Sequence, residues 1–238
     1  MKQLFIDCQM GVAGDMLLAA LLELTEQPEL FAMKLEQMGI TGLRSIIEKT
    51  EREGLEGTQI HISVEDAGDG RRLTDVYRVI DGLYVSDKVK TDAKNVYRII
   101  AEAEAEVHET DIEHVHFHEG GSLNAITDIT GVCMIMEALC VNHVTVSPIH
   151  VGSGMTRCAH GILPVPAPAT ARIVADLPTY RGDVSGELCT PTGAALIKYF
   201  ADEFGSMEGK NIGKSGRGFG TKKFPGRING LHVFLIEK

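Results

Sequence analysis

The chain has 238 residues, of which 44% are hydrophobic and 24% charged, and its formal net charge at pH 7 is -10. This length and composition suit one large globular domain or two small ones. The acidic balance argues against a nucleic acid or an anionic membrane surface as a partner, because both are bound through basic surfaces. No apolar run approaches the roughly 20 residues that a membrane span requires.

Alternating apolar and polar residues predict strands, and apolar residues at helical spacing predict helices. In chain order we predict a strand over 3–7, a helix over 15–24, a strand over 57–64, a mobile loop over 65–70, and helices over 76–83 and 88–108. We then predict a strand over 114–118, a helix over 123–139, a strand over 143–146, helices over 166–175 and 191–200, and a strand over 230–236. The locally basic segment 213–227 is interpreted as a solvated, turn-rich connector that is also able to meet a phosphate. Strands alternating with helices indicate an α/β (or α+β) fold, a layered sheet with flanking helices whose strand order is unknown.

The cysteines are scattered and odd in number, which favours reduced thiols and a cytoplasmic location. They are Cys8, Cys133, Cys140, Cys158 and Cys189. The first residues, MKQLFIDCQMG, are too short and too quickly acidic for a signal peptide.

The segment HVHFHE, residues 114–119, is the first candidate for chemistry. In a strand, the period of two would place His114, His116 and His118 on one face. Neutral imidazole is a borderline-soft ligand that suits nickel, zinc, copper or iron. Glu119 follows as a carboxylate ligand or general base. The alternative is an exposed strand edge whose histidines face water.

The helix that follows carries Asn124 and Asp128, four residues apart on one face. That face is expected near the carboxyl end of the histidine strand, where open α/β sheets bind ligands. These two side chains would then complete the site, although they would equally serve to cap and solvate the first helical turns.

Two strand-to-helix turns are candidates for binding an anion. In DCQMGVAGDM, residues 7–16, Gly11 and Gly14 let the backbone approach a phosphate or carboxylate, and Asp7 and Asp15 are candidate oxygen ligands for a metal. Glycines at such turns are also commonly structural.

In ELCTPTGAA, residues 187–195, Thr190 is predicted to cap a helix that begins at Pro191 and continues through Thr192 and Gly193. Free N–H groups at this helix start form a second candidate anion site. The glycine- and proline-rich segment before it brings Cys158 close to His160 in sequence, which raises a thiol-nucleophile hypothesis.

Taken in order, five blocks closely resemble one family. The blocks are DCQMGVAGDM, HVHFHEGG, GSGMTRCAHGILPVPAPAT, ELCTPTGAA and GRGFGTKKFPGR. The family is the nickel-insertion protein of nickel-pincer cofactor synthesis (LarC), and the resemblance runs from about residue 2 to residue 238. Where the family usually has aspartate, this chain has Asn124; where valine is usual, it has Gly120.

The resemblance implies a CTP-dependent, cyclometallase-type enzyme that inserts nickel into pyridinium-3,5-bisthiocarboxylic acid mononucleotide, the precursor of the lactate racemase cofactor. Residues 1–238 would form its N-terminal-type domain. Either a separate polypeptide would supply the family's CTP-associated C-terminal domain, or the chain would be a truncated or degenerate form; the chain would also be able to form a homo-oligomer.

Combining this resemblance with the motifs gives a set of predicted site residues. We predict catalysis by His118, Glu119 and Asp128, metal contacts from His116, His118, Glu119, Asp7 and Asp15, and substrate or phosphate contacts from Gly11, Gly14, Thr190, Thr192 and Gly193, with Cys158, His160 and Asn124 as further candidates. Two other functions fit the residues. One is a nickel carrier or assembly subunit without catalysis, and the other is an unrelated hydrolase with a metal held by Asp7, Asp15 and Asp128.

Overall fold

The computed structural model describes residues 2–65, 70–117, 119–158, 161–209 and 211–237. The predicted mobile loop over 65–70 therefore falls largely outside the described residues, as do His118 and His160.

The described residues form seven α-helices and fifteen strands, many of the strands short. The helices are α1 Gly14–Leu22, α2 Pro28–Glu36, α3 Leu73–Asp81, α4 Asp87–His108, α5 Leu123–Leu139, α6 Pro168–Ile173 and α7 Pro191–Phe200. The strands are β1 Lys2–Asp7, β2 Arg44–Arg52, β3 Leu55–Ser63, β4 Arg71–Arg72, β5 His116–Phe117, β6 His143–Val146, β7 Ile149–His150, β8 Gly152–Ser153, β9 Met155–Cys158, β10 Gly161–Pro164, β11 Thr179–Tyr180, β12 Gly186–Glu187, β13 Glu203–Phe204, β14 Ile212–Phe219 and β15 Gly230–Glu237.

A mixed sheet of seven strands organises the fold, in the order β13-β6-β1-β15-β14-β3-β2. Strand β1 pairs in parallel with β6 and antiparallel with β15, from Lys2↔Glu237 to Asp7↔His232. Strand β14 pairs antiparallel with β15 and parallel with β3. The predicted α/β layering is confirmed, and the strand order, which the sequence did not reveal, is now defined.

Side chains alternate across the central strands, so that each strand faces two environments. Leu4 and Ile6 of β1 belong to the main core shared with the helices, whereas Phe5 joins a small cluster with Phe234 and Ile236 on the opposite side. Helix α1 is apolar on nearly all sides, and every residue but Asp15 is buried. A helix of this composition is stable only inside a protein, and α1 lies between the sheet and α5.

Glycines in β14 allow α1 to lie directly on the sheet. A Cβ atom at Gly218 would lie 2.0 Å from the carbonyl oxygen of Met16, and one at Gly216 would lie 2.3 Å from that of Ala20. The prediction of a solvated connector over 213–227 is therefore wrong for residues 213–219, which form most of a sheet strand. The glycines looked like turn residues, but they are required by the close approach of two backbones.

Other boundaries also differ from the prediction. Helix α2 and strand β2 were not predicted, and the loop before α6 contains the short strands β7 to β10. Helix α6 begins at Pro168 rather than at Pro166. Among the helices in the described ranges, none is both long and apolar enough to cross a membrane.

We expect Gly218→Ala to destabilise the fold by about 1–3 kcal/mol or more, because the new methyl group collides with the α1 backbone rather than with a side chain that can rotate. The control is Gly205→Ala, since a Cβ atom there meets only the Thr145 methyl group at 3.7 Å. Urea unfolding of both variants measures the difference. Equal stability of the two would show that α1 does not press on β14 in this way.

Candidate functional site

The amino-terminal ends of α1 and α7 meet the second turn of α5 at one point. A Cβ atom at Gly14 of α1 would lie 3.2 Å from the Cβ atom of Asp128 and 3.5 Å from the Oγ1 atom of Thr192. Three of the predicted site residues, from three separate helices, are therefore brought together. The absence of a side chain at Gly14 permits this approach.

Backbone contacts between the segments before α1 and α7 hold this arrangement. The Val12 N–H donates to the Leu188 carbonyl at 3.0 Å, and the Thr190 N–H donates to the Val12 carbonyl at 3.0 Å. A Cβ atom at Gly11 would lie 2.1 Å from the Leu188 oxygen, and one at Gly193 would lie 2.3 Å from the Val12 oxygen. Packing of protein backbone thus explains both glycines, and their contact with a phosphate stays a prediction.

The start of α7 is capped as predicted. The Thr190 Oγ1 atom accepts a hydrogen bond from the Gly193 N–H at 3.2 Å, and it lies 3.0 Å from the Thr192 Oγ1 atom. Pro191 occupies the first helical turn, where its missing N–H costs nothing. Thr190 and Thr192 therefore form a hydroxyl pair beside Gly14 and Asp128.

Asp128 and Asp15 form a pair of interacting carboxyl groups. The Oδ1 atom of Asp128 is sealed from solvent and has no hydrogen-bond partner among the described residues. Burial, and then the neighbouring charge of Asp15, raise the pKa of Asp128 well above its usual range. Such a group retains its proton to a higher pH than an exposed aspartate does.

The pKa of Asp15 is also raised by burial, although several contacts oppose the rise. Its Oδ1 atom accepts a hydrogen bond from the Met16 N–H at 2.8 Å. The charges of Lys222 and His61 also favour its ionised form. The two carboxyl groups therefore differ, with Asp128 the harder of the two to ionise.

The HVHFHE segment does not form the predicted strand. His114 lies in a 3-10 turn, Ile112–His114, and strand β5 contains only His116 and Phe117. The turn breaks the period of two, so the prediction that His114 shares a strand face with the other histidines is wrong. His116 is exposed, and its Nε2 atom accepts a hydrogen bond from the Arg72 Nε at 3.3 Å. His118 and the side chain of Glu119 lie outside the described parts.

The Asp7 carboxylate lies at the end of β1, where it accepts hydrogen bonds from the side chains of Gln9 at 3.1 Å and Ser147 at 3.4 Å. Burial raises its pKa. Within the described ranges, no group of three or more His, Cys, Asp or Glu side chains is arranged to hold a metal ion. Asp7, Asp15 and Asp128 are not gathered into one such group, and their sharing of a hydrolytic metal stays a prediction.

The remaining candidates are dispersed. Asn124 is exposed on the first turn of α5, one turn before Asp128. Cys158 is half-buried in β9, opposite Gly161 of β10, and its proposed partner His160 is not among the described residues.

Two residues near the site were missed by the sequence analysis. Tyr97 of α4 donates a hydrogen bond to the Gly120 carbonyl at 2.9 Å, and the Nη1 atom of Arg71 donates one to the Gly121 carbonyl at 2.8 Å. The sequence offered only an aromatic residue on the apolar face of a long helix and a basic residue after an acidic loop.

Comparison with known proteins gives a consistent result. The family model described as nickel insertion protein matches residues 4–238. A putative nickel insertion protein of Dictyoglomus thermophilum is 39% identical over 237 residues, which are 100% of this chain and 61% of that protein. A relative in Geotalea daltonii with the same description is 40% identical over 239 residues, again 100% of this chain and 61% of the relative.

A third relative, from Staphylococcus epidermidis, is described as a pyridinium-3,5-bisthiocarboxylic acid mononucleotide nickel insertion protein. It is 39% identical over 223 residues, which are 94% of this chain and 56% of the relative. The chain thus spans less than two thirds of the length of these relatives. No solved structure gives a significant match to the chain. Because the family model and these relatives cover nearly every residue, the chain belongs to the nickel insertion protein family.

Proposed function

We propose that this chain takes part in inserting nickel into pyridinium-3,5-bisthiocarboxylic acid mononucleotide, the molecule named for its relative in Staphylococcus epidermidis. The observation that carries the proposal is the Asp15–Asp128 pair, two half-buried carboxyl groups with raised pKa values at the point where three helices meet. Buried carboxyl groups with raised pKa values are typical of sites that move protons.

The reaction requires a proton acceptor. When nickel(II) bonds to the pyridinium carbon between the two thiocarboxylate groups, the C–H bond at that carbon breaks and its proton must leave. The two thiocarboxylate sulfurs then complete the contacts of the metal. We assign the proton to Asp128, because a carboxylate with a raised pKa is a stronger base than an exposed one. Asp15 raises that basicity through its charge.

Nickel is a substrate in this proposal, and the histidine segment delivers it. His116, His118 and Glu119 supply imidazole and carboxylate donors of the kind that nickel accepts. Asp7 and Asp15 are proposed as weaker oxygen contacts on the path to the ring. His118 and Glu119 enter here on the sequence alone.

The nucleotide phosphate is assigned to the helix starts. The amino-terminal N–H groups of α1 and α7 lack partners within their helices and carry partial positive charge. We propose that Gly11 and Gly14 on one side, and Thr190, Thr192 and Gly193 on the other, contact the phosphate through backbone or hydroxyl groups.

Three parts of the proposal come from the family resemblance. They are the dependence on CTP, a contribution from the family's C-terminal region, and the use of the product by lactate racemase-type enzymes. We also propose a cytoplasmic location, which is consistent with the free state of all five cysteines. The alternative, a nickel carrier without catalysis, differs in predicting binding without turnover.

The first test combines this chain with nickel chloride, CTP, the mononucleotide and a polypeptide that carries the family's C-terminal region, with product followed by mass spectrometry. We expect His116→Ala plus His118→Ala to abolish insertion, because two imidazole donors are lost. His114→Ala is the matched control and should retain activity, since His114 lies apart in the 3-10 turn.

Unchanged product from the double variant would refute the role of these histidines. Calorimetric titration with nickel chloride in the absence of CTP separates the carrier from the enzyme. Histidine-dependent binding with no product in the complete mixture would favour the carrier.

The second test uses Asp128→Asn, which preserves shape and removes the ionisable group. We expect the insertion rate to fall by about 10²–10⁴-fold, the usual contribution of a general base. We also expect the variant to be more stable than the wild type at pH 8, by on the order of 1 kcal/mol. The sign follows from linkage: an acid whose pKa is raised on folding stabilises the fold fully below its unfolded pKa and loses that contribution as pH rises through its folded pKa.

Asparagine stays neutral, so the stability difference should vanish near pH 4. The control is Asp176→Asn, because the exposed Asp176 pairs with Lys198 at 2.7 Å and its pKa is lowered. That variant should retain activity and should not gain stability at pH 8. A loss of stability in Asp128→Asn at pH 8 would contradict the assignment of a buried, destabilising acid.

A further inference from the structure

We infer that Tyr97 and Arg71 are positioning residues that clamp Phe117, Gly120 and Gly121, and so fix β5, which carries His116, relative to Asp128. The inference rests on the proposed function, because it concerns the placing of groups assigned there. It adds two residues that are not among the predicted site residues. Neither is proposed to touch the substrate.

Tyr97 holds this segment at two points. Its side chain is completely buried on α4, and its hydroxyl group donates to the Gly120 carbonyl at 2.9 Å. Its ring meets the ring of Phe117 edge-on, with centroids 5.8 Å apart and planes at 65°. One rigid side chain therefore restrains Phe117 and Gly120, which lie on either side of His118 and Glu119 in the sequence.

Arg71 holds the same segment from the other side. Strand β4 pairs with β5, placing Arg71 opposite Phe117, and the Arg71 Nη1 atom donates to the Gly121 carbonyl at 2.8 Å. A Cβ atom at Gly121 would lie 2.8 Å from the Phe117 Cβ atom and 3.3 Å from the Arg71 backbone nitrogen. Gly121 therefore packs directly against Phe117 and Arg71, with no room for a side chain.

The charge of Asp128 also acts on Tyr97. Burial raises the pKa of Tyr97 well above its usual range, and the charge of Asp128 raises it further while Arg71 opposes. The side chains of Tyr97, Asp128 and Arg71 are thus close enough to interact electrostatically. The phenol stays protonated and donates its hydrogen bond throughout the neutral range. Tyr97 therefore contacts the backbone next to β5 and also lies within the electrostatic influence of Asp128.

A purely structural tyrosine would behave differently. Tyr77 of α3 offers a matched case, because its hydroxyl group donates to the Lys94 carbonyl at 3.2 Å, away from the site. Removing either hydroxyl group deletes one bond to a carbonyl and should lower the melting temperature by a similar, small amount. Only the loss at Tyr97 should disturb the placing of metal-binding groups, for which errors of about 1 Å are costly.

The experiment compares Tyr97→Phe with Tyr77→Phe in the full chain. Hydrogen exchange is measured by mass spectrometry over residues 115–125, and nickel chloride is titrated by calorimetry. We expect Tyr97→Phe to speed exchange in this segment and to weaken nickel affinity by about 10-fold, the scale of an outer-shell loss at a metal site. Tyr77→Phe should change neither.

Arg71→Lys and Arg71→Met add a graded test, because lysine keeps a donor that can reach the Gly121 carbonyl and methionine does not. The lysine variant should retain more nickel affinity than the methionine variant.

Equal exchange in wild type and Tyr97→Phe would overturn the clamp, and faster exchange with unchanged nickel affinity would overturn its positioning role. If the wild-type chain itself binds no nickel, the proposed function fails first and this inference fails with it. That outcome is distinct from a defect confined to the variants.

Discussion

The contact of α1 with the backbone of β14 determines where the groups of the candidate site lie. Because Gly216 and Gly218 present no side chains, the helix lies directly on the sheet. Its first turn then carries Gly14 and Asp15 to the point where α7 starts. Helix α5 approaches α1 closely at Gly131, where a Cβ atom would lie 3.0 Å from Leu18. A bulkier residue at Gly131 would move α5, which carries Asp128, away from α1.

This packing has an energetic consequence for Asp128. A helix buried on all sides leaves little room for water at its ends, so the carboxyl group that faces its first turn loses solvation. An unpartnered buried oxygen is costly, and a neutral side chain of the same shape would cost less. The fold tolerates this cost because the burial of apolar side chains of α1 and its neighbours stabilises the folded state by more. Residues that lower the stability of the fold are expected at functional sites, where function rather than stability determines the choice of side chain.

The sequence predicted the elements whose periodicity is strong and local. Helix α4, helix α5, the cap at Thr190 and the central strands β1, β6 and β15 follow from spacing and capping alone. It failed where distant chain segments decide the outcome. Strand β14 was predicted to be a connector because its glycines resemble turn residues, whereas they are required by the close contact with α1, which lies far earlier in the sequence. The convergence of Gly14, Asp128 and Thr192 also depends on how three helices pack, and no local sequence pattern predicts that packing. The family resemblance indicated only that these sequence blocks occur in the same family.

The glycines of the amino-terminal motif divide into two kinds, and this division sharpens its meaning. Gly11 has a φ of 76° and faces the Leu188 carbonyl, so the crossing of two chain segments requires it with or without a ligand. The missing side chain of Gly14, in contrast, opens onto Asp128 and Thr192, the groups assigned to proton transfer and phosphate contact. A substitution at Gly11 would therefore act through folding, whereas a substitution at Gly14 would act on the site itself. The motif thus contains one glycine that the crossing of two chain segments requires and, three residues later, a second glycine that borders the candidate site.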